Sequence, residues 1–209
     1  MLSRMETFSE HLRQEAASLR SRLGGMKGLL IHVALIGVFG VFLPWKRGIE
    51  FLDPVMLSAY ACLGVLFAAP TAAQAFADSR PTSIIAAIAR ISVAVLYGEC
   101  IVAAFLLSGI ATVYATHRHS FFFAPDLAGL AMAGLLGLTA SFAFASVAAW
   151  ITLRFSATAA RGALRVMFLL LLFVYFFRAQ WLPDVAGLGV LLCLVVAAAA
   201  VFGVRALVK

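Results

Sequence analysis

Residues 185–204 read VAGLGVLLCLVVAAAAVFGV, from Val185 to Val204, without one charged side chain. Wound into a helix, about 20 apolar residues match the thickness of a bilayer's hydrocarbon core. In that medium the backbone finds no water, so the run must satisfy its own N–H and C=O groups as an α-helix. The stretch predicts a transmembrane helix, and it sets the question for the rest of the chain.

Working outward, comparable apolar runs fall at about 163–179, 126–150, 91–115, 54–77 and 28–45. Between them lie the charges and turn formers, such as Trp45-Lys46-Arg47-Gly48, Asp78-Ser79-Arg80-Pro81 and His117-Arg118-His119-Ser120. The run at 163–179 is the weakest, because Arg165 and Arg178 would both have to snorkel. Composition agrees: of 209 residues 64% are hydrophobic and 12% charged, with a mean hydropathy of +1.06. A soluble domain carries roughly a quarter of its residues as charges. The expectation is an all-α, polytopic membrane protein with six spans in residues 25–209.

Lysine and arginine set the orientation. One side carries Arg4, Arg13, Arg20, Arg22, Lys27, Arg80, Arg90, Arg154, Arg161, Arg165, Arg205 and Lys209, twelve of the sixteen basic residues. The other carries Lys46, Arg47, Arg118 and Arg178. That bias places both termini in the cytoplasm, which requires an even number of spans. It also accounts for the net charge of +7 through anionic lipid at the cytoplasmic edge, with no nucleic acid.

Residues 1–24 are not a secretory leader, since Glu6, Glu10 and Glu15 stand where an apolar core should be. Leu2, Met5, Phe8, Leu12, Ala16, Leu19 and Leu23 recur at steps of three and four and draw an apolar stripe. The spacing predicts an amphipathic helix lying in the cytoplasmic interface, turning into the membrane at Gly24-Gly25.

Motifs for chemistry are sparse. Cys62, Cys100 and Cys193 form no CxxC pair and read as buried structural thiols. Of four histidines only His32 lies within a span, so a bis-histidine haem is not expected. No GxxxxGK[ST] occurs, and no catalytic triad, metal cluster or carboxylate pair falls within the spans. The chain is therefore not expected to be an enzyme or to bind a cofactor itself.

Polar residues in hydrocarbon are functional suspects. Glu99 stands out; it either lines a substrate path or pairs with a basic residue such as Arg90 or Arg161. Gln74 reads as packing or as a hydrogen bond to a neighbouring helix. Gly129, Ala133, Gly137, Ser141, Ala145 and Ala149, four apart throughout, form a small-residue face for close helix packing within the chain or against a second protomer.

The order of these features resembles the membrane permease subunit of ABC-2-type ABC transporters. Four stretches carry the resemblance: Arg13-Gln14-Glu15 with Leu19-Arg20-Ser21-Arg22; Gly40-Val41-Phe42-Leu43-Pro44-Trp45; Phe76-Ala77-Asp78-Ser79-Arg80 with Thr82-Ser83-Ile84; and Thr152-Leu153-Arg154 before Ala157-Thr158 and Arg161. Pro81-Thr82-Ser83-Ile84 stands where the family usually has Gly-Thr-Leu-Glu. The resemblance implies a cell inner-membrane exporter subunit that pairs with a second permease protomer. ATP and Mg²⁺ would be bound by a separate ATPase subunit. It also implies docking of that ATPase at Arg80, Pro81, Thr82 and Ile84, with Arg13 and Glu15 on the supporting helix. Two other readings fit the same apolar helices. One is a non-catalytic accessory subunit of a respiratory or photosynthetic membrane complex; the other is a haem-exporter-type permease of cytochrome c maturation.

Overall fold

The computed structural model describes residues 2–22, 25–117, 127–160, 162–166 and 182–208. Among these the chain is helical and contains no strand, and five helices are long and apolar enough to cross a membrane. The sixth expected span, 163–179, lies almost entirely outside the described residues; its first residues, within 162–166, are helical.

Helix α1 (Leu2–Arg22) precedes the first crossing. Its packed face runs through Phe8, His11, Leu12, Glu15, Ser18 and Leu19, and it rests on the later helix at Ile84–His117. Phe8, Leu12 and Leu19 of the expected apolar stripe lie on this face, whereas Ala16 is exposed and Glu15 is half-buried.

The first crossing, Gly25–Leu52, begins at Gly25 with φ +57. It is not a regular helix. α2 (Gly25–Leu35) widens into a π-helical stretch, Ile36–Phe42, which continues as α3 (Leu43–Arg47) and a 3-10 turn, Gly48–Leu52. The helix thus continues past Lys46-Arg47, where a gap was expected. Gly48, at φ 59 and ψ −131, receives the end of α3, a conformation that excludes a β-carbon. This crossing is peripheral, with Leu29, Leu30, Ile31 and Val33 exposed.

Asp53 accepts a hydrogen bond from Val55 N–H at 2.8 Å and caps α4 (Pro54–Ala61), with Pro54 in the first turn. The second crossing then breaks. Cys62 and Leu63 form a turn before α5 (Gly64–Asp78) resumes. Leu63 N–H donates to Tyr60 O, Val65 N–H to Cys62 O and Leu66 N–H to Leu63 O, bonds of 3-10 type that tighten the chain.

α6 (Ile84–His117) has 34 residues, about 50 Å at the α-helical rise, so it projects beyond the bilayer core. It starts seven residues before the expected Ile91, and Ser83 caps it through a 3.1 Å bond from Ala86 N–H. α7 (Leu127–Arg154) runs past its expected end at Trp150, and α8 (Leu182–Leu207) outruns both of its expected limits. Residues 157–160 and 162–166 are helical, with Ser156 Oγ accepting from Ala159 N–H.

α5 lies between α6 and α7, and α7 packs on α8 as well. Alanines Ala68, Ala72, Ala145 and Ala149 fill one core with Phe76, Ile91 and Val204. An aromatic core at the other end gathers Phe51, Tyr60 and Phe105. The small-residue face of α7 is spent within this chain. Ala133, Gly137, Ser141, Ala145 and Ala149 are all buried, and Gly129 is half-buried. A β-carbon on Gly137 would strike the Ala61 carbonyl.

Candidate functional site

Two polar clusters interrupt the apolar interior. The first centres on Arg90, in the second turn of α6. Its Nε and Nη2 donate to Glu15 Oε1 at 2.8 and 2.6 Å. Nη1 donates to Ala75 O at 3.0 Å and to Ser79 O at 2.6 Å. The guanidinium also lies over the Phe76 ring, 5.3 Å from its centroid. The side chains of Arg90 and Glu15 are 9% and 14% exposed. The last carbonyls of a helix lack partners of their own, and a cation there answers the helix dipole. One buried arginine thus binds the end of α5, the start of α6 and the middle of α1 into a single knot.

Arg90 pairs with Glu15 rather than Glu99, and Arg161, the other partner expected for Glu99, lies outside the described residues. Glu15, expected as a docking contact, is half-buried in that pair. Of the other docking candidates, Arg13, Arg80 and Thr82 are exposed, Ile84 is half-buried and Pro81 is buried. Only three of the six therefore present an open surface. Gln74, expected to pack or to bond to a neighbouring helix, donates its amide to Asp78 Oδ1 on its own helix at 2.6 Å.

The second cluster lies deep in the bundle. Ser141 Oγ, on α7, donates to Glu99 Oε1, on α6, at 2.6 Å. Opposite them is the break in the second crossing. A β-carbon on Gly64 would collide with both the Glu99 carboxylate and the Ser141 hydroxyl, and one on Gly98 would meet the Gly64 carbonyl at 2.6 Å. Glycines at 64 and 98 therefore let three backbones converge around the carboxylate. Cys62 and Cys193 are half-buried, and Cys100 is exposed, contrary to a uniformly buried reading.

His32 is accounted for by local bonding. Its Nε2 and the Tyr97 hydroxyl are 2.5 Å apart, and its Nδ1 is 2.5 Å from Gly28 O. The contact fastens the first crossing to α6. Among the described residues no group of three His, Cys, Asp or Glu side chains is placed to hold a metal ion.

Sequence reasoning missed the role of Arg90. Two signals pointed to it: an arginine inside the apolar run Ile84–Val95, and a glutamate beside the apolar stripe of an amphipathic helix. Each charge needed a partner, and each supplies the other's. Comparison with protein families, curated proteins and solved structures finds no match to this chain.

Proposed function

We propose that the chain is the membrane permease subunit of an ABC-2-type exporter. In this reading six spans cross the cell inner membrane with both termini in the cytoplasm. A second permease protomer completes the translocation path, and ATP and Mg²⁺ are bound by a separate ATPase subunit. The observation that carries the reading is the Arg90 knot. It unites the interfacial helix, the end of the second crossing and the start of the third, the segments where the resemblance puts ATPase docking. A push on α1 or on residues 79–83 would reach α5 and α6 together, as rigid-body rocking of a bundle requires. Exposed Arg13, Arg80 and Thr82 supply the polar contact surface beside it.

The test is mild-detergent purification of the tagged full-length chain from its native membrane. An ATPase subunit bearing a Walker A motif should co-purify, and charge reversal at Arg13 and Arg80 together should release it. Recovery of redox or pigment-binding subunits without an ATPase would support the accessory-subunit reading instead.

A further inference from the structure

The first crossing changes hydrogen-bond register within its own length. Leu43 N–H donates to Val38 O, five residues back, whereas Gly48 N–H donates to Pro44 O, four back. Between these bonds lie five carbonyls, those of Phe39, Gly40, Val41, Phe42 and Leu43. The residues placed to serve them are Pro44, Trp45, Lys46 and Arg47, and proline has no N–H. Three backbone donors thus face five acceptors. Two carbonyls are left over in an apolar setting, where an unmet polar group is costly.

Two hydroxyls from other helices meet the shortfall. Tyr60, on α4, donates to Phe39 O at 3.1 Å. Thr112, on α6, reaches Gly40 O at 3.4 Å while also donating to Ser108 O at 2.8 Å. The two differ in what they answer. In an unbroken α-helix each N–H reaches four residues back. Leu43 N–H would then serve Phe39 O, and Gly40 O, opposite Pro44, would stay open. Thr112 therefore answers the proline in either register, whereas the Tyr60 bond to Phe39 O is needed in the π register alone.

We infer that the π stretch Ile36–Phe42 is a rotary joint and that the Tyr60 hydroxyl is its latch. Shedding the extra residue to give a regular α-helix turns one side of the joint against the other by about 100°, with a shift of about 1.5 Å. The C-terminal side is anchored, since Pro44, Gly48, Phe51 and Leu52 are buried. The N-terminal side, Gly25–Leu35, is peripheral: Leu29, Leu30, Ile31 and Val33 are exposed, and the His32–Tyr97 contact fastens it to α6. It is the N-terminal side that turns, and it adjoins α1, which Arg90 holds. Single π turns within α-helices recur at functional sites. The joint belongs to the first crossing and stands or falls apart from ATPase coupling.

Electron–electron distance measurements on the full-length chain in lipid nanodiscs test it, with Cys62, Cys100 and Cys193 replaced by alanine. Spin labels at Leu30 and Leu96 report on the N-terminal side against α6, and labels at Lys46 and Ala115 on the C-terminal side; all four positions are exposed. Tyr60→Phe keeps the ring against Phe51 and deletes the latch. It should shift or split the Leu30–Leu96 distance and leave Lys46–Ala115 unchanged. Thr112→Val should lower the melting temperature and move neither distance. A Leu30–Leu96 distance unmoved by Tyr60→Phe would overturn the inference, as would an equal shift in Thr112→Val. If Tyr60→Phe does not fold, the labelled parent chain decides, frozen from a series of temperatures. A second Leu30–Leu96 population that grows on warming is then expected, and one population throughout overturns the joint.

Discussion

Arg90 Nη2 and Glu15 Oε1 lie 2.6 Å apart, although 75 positions separate the two residues in the chain. Both side chains are largely buried, so each is the other's replacement for water. Removing one partner of a buried pair leaves an uncompensated charge, at a cost of about 3–5 kcal/mol. Glu15→Ala and Arg90→Ala should each destabilise the protein by about 3 kcal/mol in thermal or denaturant unfolding. The double variant should lose clearly less than the sum, because no orphaned charge remains. Strict additivity would show that the pair does not hold α1 down.

Close backbone approach predicts a contrast between glycines. At Gly64 a β-carbon would meet Glu99 and Ser141, whereas at Gly134 it would meet nothing within 4 Å. Gly64→Ala should cost roughly 1–3 kcal/mol by overpacking. Gly134→Ala, on an open helix face, should be neutral or stabilising by up to about 1 kcal/mol. Melting temperatures of the two variants, measured side by side, check the difference.

Gly48 combines strain and contact. Its φ of 59 disfavours any other residue, and a β-carbon there would sit 3.1 Å from His117 Nε2. Gly48→Ala should cost about 2 kcal/mol. Adding His117→Ala should recover only the steric part. Full recovery would mean that the backbone conformation carries no cost.

The His32–Tyr97 contact should be worth about 1 kcal/mol, the usual net value of a hydrogen bond. Tyr97→Phe keeps the ring packed against His32 at 5.7 Å between centroids while deleting the hydroxyl. A stability loss of that size, matched by His32→Phe and not enlarged in the double variant, is the expected pattern.

Topology is open to direct measurement. If both termini are cytoplasmic, as proposed, a fluorescent protein fused after Lys209 should fluoresce, and alkaline phosphatase fused there should be inactive. Phosphatase fused after Arg47 should be active. Activity after Lys209 would mean an odd number of crossings, and the segment at 163–179 would not span.

Much of the architecture was legible from hydropathy alone. Five of the six expected spans coincide with long helices, because apolar length is what a bilayer selects. Their limits were less legible. The reading stopped at Arg90 because an isolated arginine argues against hydrocarbon, and only Glu15 on another helix makes it tolerable. Lys46 and Arg47 misled in the same way, since a helix can project past the membrane. The π stretch at Ile36–Phe42 and the break at Cys62–Leu63 lie inside uniformly apolar runs, where hydropathy is blind to hydrogen-bond register. The small-residue face of α7 was plain from its spacing of four. Glu99 was identified as a suspect, but its neighbours come from three helices and could not be read from one.

The alanines between α5 and α7 have a mechanical consequence. Ala68, Ala69, Ala72 and Ala73 share two buried clusters with Ala145, Ala148 and Ala149, so methyl groups make up much of the seam, with Phe76, Phe142 and Phe144 packed beside them. Methyl groups have no rotamers to reset and lose no side-chain freedom on burial. Their ridges are low, so one helix can shear along the other without unlocking interdigitated side chains. The two helices are thus close enough to cohere and smooth enough to glide, which makes the seam the bearing surface of the bundle.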